Sequence, residues 1–299
     1  MIKMRRYKRA GDKKKFLSLF EDYFPTGRDN LIQVSIKICF LFCIIGIIVG
    51  GIYFGNHYYT SYADQKQIQV DQELFENGDL SILKKQNSDY KAWLRIKGTK
   101  LSNPVFKTDN NSFYLTHGSS KEKNNYGSLF LDYRCDFSDK NAVVYGNNAE
   151  NGLMFATLNR LRELDFYKSN YIITLNEGKT ESRYLIYAVF VLNSSKEQDG
   201  GKIYSIYQKE FSNEATFKAW VNEAKTRSLV NSEIDVDYED SILTLVTDCD
   251  DFEGARLVVM ARKTRDKEYI FTDNKKAELN PNPKYPKKWY VDRNIKYPF

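Results

Sequence analysis

The chain has very few groups that exchange protons near neutral pH. Of its 299 residues only two are histidines, His57 and His117. Cysteine is scarce too, at four, and no His/Cys spacing matches a metal site, so neither a metal nor a disulfide framework is expected. No glycine-rich loop is built to cradle phosphate, and no cofactor is expected. There is no internal repeat. Positive charge is also missing where nucleic-acid binding would need it. Residues 1–37 hold ten Lys/Arg against four acids, and the rest of the chain is balanced at 35 of each. A folded part without net basic charge argues against nucleic acid as a partner.

A long hydrophobic run is present. Residues 38–55, ICFLFCIIGIIVGGIYFG, are 18 positions without a charge. At 1.5 Å per helical residue this nearly matches a bilayer core of about 30 Å. The alternative is a cleaved signal peptide. The long region before the run and the lack of a small-residue cleavage site speak against it. The basic flank comes first, which places residues 1–37 in the cytoplasm as a basic head and everything after Asn56 outside. Tyr53, Tyr58 and Tyr59 suit the far interface. Cys39 and Cys43 lie in the run. Cys135 and Cys249 are read as unpaired thiols, with a bridge between them as the alternative.

Residues 56–86 are polar and read as a juxtamembrane helix or linker. From Asn87 the pattern changes to short apolar runs between turn residues, which predicts strands at 93–96, 104–106, 128–131, 142–145, 171–175, 184–190, 242–246 and 256–260. Helices are expected at 153–164 and 213–226. Many short strands with a few helices between them predict a mixed β-barrel with flanking helices over 87–263, preceded by one transmembrane helix. Four prolines in the last twenty residues make 264–299 read as an extended, poorly packed tail.

Two segments carry the strongest signal. The first is 142–148, AVVYGNN. The second is 243–250, LTLVTDCD, followed by GARLVV at 254–259. They resemble the catalytic segments of the class B sortases, whose patterns are Tyr-Gly-His and Thr-Leu-x-Thr-Cys followed by Arg on the next strand. Further blocks, NSDYKAWLRI at 87–96, NPVF at 103–106, DNNSFYLTH at 109–117 and YGSLFLDYR at 126–134, are similar to that family in order and spacing. The resemblance implies a membrane-anchored, sortase-like cell-surface protein. Its partners would be a sorting-signal peptide, a surface protein or pilin, or an active sortase.

The resemblance also implies that Asn147 stands at the family's histidine position, Asp248 at its cysteine position, and Arg256 at its arginine position. Sortase chemistry needs a nucleophilic thiol, a group that protonates the leaving amine, and a donor for the oxyanion. An amide at Asn147 cannot exchange a proton near neutral pH, and Gly146, Asn147 and Asn148 also read simply as a good turn. A carboxylate at Asp248 would pair with Arg256 rather than attack. The expectation is therefore a sortase-like protein with impaired chemistry that still binds. The alternative is an active cysteine transpeptidase using Cys249 with Arg256, which requires a one-residue slip or a bulge at the strand end, because neighbouring strand residues point to opposite faces. His117 is expected to be structural.

Overall fold

The structure is a computed structural model that describes residues 22–78, 80–149, 151–196, 200–201, 203–271 and 273–299. Most of the basic head lies outside the described residues. The chain divides into two compact units, residues 1–62 and 63–299.

Helix α1, Leu31–Glu76, contains the apolar run. It is long and apolar enough to cross a membrane, and its apolar window is not buried within the protein. An apolar helix with no protein packing has its side chains satisfied only by lipid or by another apolar surface. Past residue 63 the helix is amphipathic, and Ile68 and Asp71 are buried. The polar 56–76 stretch is thus the continuation of α1, and a second short helix, α2 at Leu80–Gln86, follows it.

The second unit is built on a closed barrel. Its strands are β1 (Tyr90–Arg95), β2 (Ser102–Phe106), β3 (Leu129–Leu131), β4 (Asn141–Tyr145), β5 (Ile172–Glu177), β6 (Thr180–Asn193), β8 (Ile242–Asp248) and β9 (Ala255–Lys263). A two-residue strand β7, Val230–Asn231, lies outside the barrel. Around the barrel the order is β1-β2-β3-β4-β8-β9-β6-β5. The pair that matters for the site is β4 with β8, which run parallel with Tyr145 beside Val246. β9 returns antiparallel to β8 and ends its ladder with Arg256 opposite Asp248. The core strands are near-continuous apolar runs because both of their faces are covered. Val144, Leu245, Val246, Val258 and Val259 are fully buried.

The segment read as a helix at 153–164 is a 3-10 helix, Phe155–Arg162, followed by a short α-helix, α3, at Leu164–Ser169. Its buried side chains Phe155, Leu158 and Leu161 recur every third residue, and a 3-10 helix superposes that period on one face. Helix α4, Glu214–Arg227, matches its amphipathic pattern. Asn213 and Thr216 form a reciprocal cap, and Phe217, Trp220, Val221 and Ala224 are buried.

The last segment is mostly irregular, but it packs against the barrel unit. Strand β10, Glu278–Leu279, pairs with β7. Helix α5, Lys287–Asp292, buries Tyr290, and Ala277 is fully buried. Proline and lysine suppress regular structure there without preventing aromatic rings from docking.

Candidate functional site

The chain leaves β4 at Gly146, whose amide donates to the Val246 carbonyl at 3.3 Å. A side chain at Gly146 would lie 2.4 Å from Leu129 Cδ2 and 2.8 Å from Phe155 Cδ2. Only glycine fits between the strand end and the 3-10 helix. The next residue, Asn147, follows in the register that sets Tyr145 beside Val246. Its backbone therefore reaches the level of Asp248. Its side chain is turned elsewhere: Nδ2 donates to the carbonyls of Leu115 at 2.8 Å and Tyr126 at 3.0 Å. The amide ties the 113–127 loop to the end of β4. Gly127 makes this approach possible. Its φ is +62°, and a Cβ there would sit 2.5 Å from the Tyr114 carbonyl and 2.9 Å from Asn147 Nδ2.

Asp248 and Arg256 face each other across β8 and β9. Arg256 Nη1 lies 3.0 Å from Asp248 Oδ1, with side-chain exposures of 39% and 64%. A solvated pair of this kind contributes about 0–1 kcal/mol. It also pairs the guanidinium with a carboxylate of the chain itself. Of the sequence-predicted residues, Asp248 and Arg256 are joined by an ion pair, while Asn147 shares their barrel end by register and spends its side chain on the 113–127 loop.

Cys249 is held away from them. Its amide donates to the Ala255 carbonyl at 3.2 Å, which continues the β8–β9 ladder by one residue without a bulge. Strand alternation then points its thiol to the face opposite Asp248. Cys249 is 7% exposed. Burial pushes its thiol up to about 12, and the Asp251 carboxylate adds to the rise while Arg162 opposes it. Its neighbours are therefore not Arg256 but Arg162 and Asp251, which form their own pair at 2.6 Å. Sequence reading missed this pair because Arg162 and Asp251 are 89 residues apart, and neither belongs to a family motif.

Cys135 is a buried free thiol, as is Cys249. The two are not bridged. His117 stacks on Phe113 at 4.0 Å, and its Nδ1 bonds the Phe113 carbonyl at 2.8 Å, which makes it part of the loop's packing. No group of three or more His, Cys, Asp or Glu among the described residues could hold a metal.

Sortase B of Listeria monocytogenes serovar 1/2a is 31% identical to the chain over 189 residues, 62% of this chain and 73% of that protein. The chain belongs to the class B sortases. The crystal structure of Clostridium perfringens sortase B matches with 34% identity and a TM-score of 0.56, covering 62% of this chain and 99% of that one. A Staphylococcus aureus sortase B–substrate complex shares the fold, with 23% identity, a TM-score of 0.56 and coverage of 71% and 98%. No family model matches the chain. The expected mixed barrel is thus the fold of a family of cell-wall transpeptidases found at the cell surface. Within this class B sortase barrel, the ends of β4, β8 and β9 carry an amide, a carboxylate and a guanidinium.

Proposed function

We propose that the chain is a class B sortase-fold surface protein whose transpeptidase chemistry is impaired and whose cleft serves binding. The observation that carries this reading is the Asp248–Arg256 pair at 3.0 Å, together with an amide at Asn147 that is already committed to two carbonyls. With a carboxylate in the nucleophile's place and an amide in the imidazole's, those two positions supply neither a thiol to attack nor a group that gives a proton to an amine near neutral pH. The occupant would be a sorting-signal peptide on a surface protein or pilin subunit, and an active sortase is a further candidate. The substrate complex of the Staphylococcus aureus sortase B is consistent with substrate binding on this fold.

The protein would be held by residues 38–55 as a single membrane span, with the basic head in the cytoplasm and residues 56–299 outside. Charge asymmetry around one apolar run supports that orientation. Protease added to protoplasts would remove the bulk of the chain and leave a small protected N-terminal fragment. Full protection of the barrel would refute it.

The activity reading is tested with fluorescent sorting-signal peptides on the full chain in detergent. Binding without amine-dependent cleavage is expected. Turnover that disappears in Cys249→Ala would overturn it and establish the alternative, an active transpeptidase. The buried thiol and its distance from Arg256's face of the strand do not favour that alternative.

A further inference from the structure

The turn between β8 and β9 is pinned from two sides. From one side Arg162 of the 3-10 helix holds Asp251 at 2.6 Å. From the other comes the end of the chain. Arg293 points both terminal nitrogens at the Asp251 carbonyl, each at 3.4 Å. Its guanidinium lies 4.3 Å over the Trp289 ring. Trp289 stacks on Tyr285 at 4.1 Å and 8°. Tyr285 is close enough to Asp251 and Arg162 that, besides its burial, their charges act on its phenol. Tyr285 and Trp289 pack against the same apolar core that contains Cys249 and Phe252.

The attachment of this segment is unusual in kind. Lys284 gives the last backbone hydrogen bond to the body of the unit, to the Thr226 carbonyl at 3.1 Å. Past it, the backbone bonds among the described residues close within 283–299: Tyr285 to Pro283, Trp289 to Pro286, Arg293 to Tyr290, Asn294 to Val291 and Ile295 to Tyr290. The segment is thus a self-contained piece, seated on the barrel by side chains. A piece with no backbone bonds to its support can open without unfolding that support.

At this barrel end the strand face that carries Cys249 also carries polar groups. Asn193 stands opposite Ala255 on β6 and β9, and Ala255 is the rung that receives the Cys249 amide. Thr247 lies two residues before Cys249 on the same strand face. Asn193 is fully buried and Thr247 is 1% exposed. Asn193 Nδ2, Thr247 Oγ1 and Arg162 Nε have no protein partner among the described residues. Donors of this kind gain hydrogen bonds when a site opens to water, which offsets part of the penalty for wetting the apolar surface beside them.

We propose that residues 285–299 form a strap over the β8–β9 turn, and that its release exposes Cys249 and the polar row around it while the barrel and the Asp248–Arg256 pair stay in place. The two faces of the β8 end are then controlled separately: one carries the solvent-exposed Asp248–Arg256 pair, the other is closed by the 285–299 segment. The proposal is independent of what the cleft binds, because its readout is the accessibility of one thiol.

The test is alkylation of the full chain in detergent with N-ethylmaleimide, read by peptide mapping at Cys249 and Cys135 in the same sample. Both are buried in the closed state, so Cys135 reports on the barrel and Cys249 on the strap. Arg293→Ala combined with Trp289→Ala should speed labelling of Cys249 at least tenfold and leave Cys135 unchanged. A chain ending at Lys284 should do the same, and a synthetic peptide of residues 285–299 should restore protection to it. Unchanged Cys249 labelling in both variants would overturn the strap. Parallel acceleration of both cysteines would also overturn it, by showing that the segment cannot open apart from the barrel.

Discussion

The side chain of Asn147 supplies two donors to two carbonyls, and this makes a sharp prediction about which residues the position accepts. In Asn147→Ala, the carbonyls of Leu115 and Tyr126 lose their bonds at 2.8 and 3.0 Å. Each such bond is worth about 0.5–1.5 kcal/mol net, so the loss should be about 1–3 kcal/mol. At about 2–4 °C per kcal/mol for a domain of this size, the melting point should fall by several degrees. Asn147→Asp keeps the shape and reverses the chemistry. An ionised carboxylate would face two carbonyl oxygens with nothing to donate, so its folded-state pKa must rise above the unfolded value of about 3.9. A carboxyl raised in the folded state favours folding when protonated. Relative to Asn147→Ala, the variant should therefore lose stability as pH climbs from about 4 through the raised value. Each tenfold change in that proton equilibrium is worth about 1.4 kcal/mol. Thermal unfolding of the full chain in detergent, followed by near-UV circular dichroism at pH 4 and 7, separates the cases. The expected order at pH 7 is Asn above Ala above Asp, with the gap between Ala and Asp closing at pH 4. An Asp variant as stable as the native chain at pH 7, or one that gains on the Ala variant from pH 4 to 7, would refute the tether.

Gly146→Ala should cost about 1–3 kcal/mol, since its new methyl meets core atoms of Leu129 and Phe155 at 2.4 and 2.8 Å; chemical denaturation checks it, and a neutral result would mean the 3-10 helix yields. Asp71 is buried, and desolvation raises its carboxyl above the ordinary value despite bonds from Ser119 and Gln67. Its ionisation therefore opposes folding as pH rises from about 4 through the raised value, so Asp71→Asn should match or exceed the native stability at pH 7 and lose that advantage below pH 4. On the proposed reading, Asn147→His with Asp248→Cys should give amine-dependent turnover of a sorting-signal peptide by mass spectrometry, and either change alone far less, since groups that act as one unit are not additive; activity from Asp248→Cys alone at the double variant's rate would contradict this.

Much of the barrel was legible because its strands are apolar runs bounded by turn residues, and the ladders fall where those runs do. β6 extends beyond its apolar stretch to Thr180–Asn193, since hairpin pairing with β5 recruits polar residues that carry no apolar signal. The 3-10 helix hid behind a leucine pattern that suits two helical periods. At the site, the Asp248–Arg256 pairing could be read from spacing alone, because an antiparallel ladder converts eight residues of sequence into one rung. The tether of Asn147 could not, as it depends on carbonyls of a loop more than twenty residues away. Nor could the surroundings of Cys249. These are set by a helix, a turn and the end of the chain, and no local pattern links the three.

The barrel closes on itself, with β5 hydrogen-bonded to β1. A closed sheet has no unpaired strand edge to lend to a guest. On the reading proposed above, an extended peptide docked on the barrel would not be gripped as an added strand of that closed sheet, by a rail of main-chain bonds indifferent to sequence. It would instead be held by loop backbone and by side chains such as those at the ends of β4, β8 and β9. Recognition then rests on the guest's side chains, and N-methylating the guest's backbone should weaken binding far less than altering the residues of its motif.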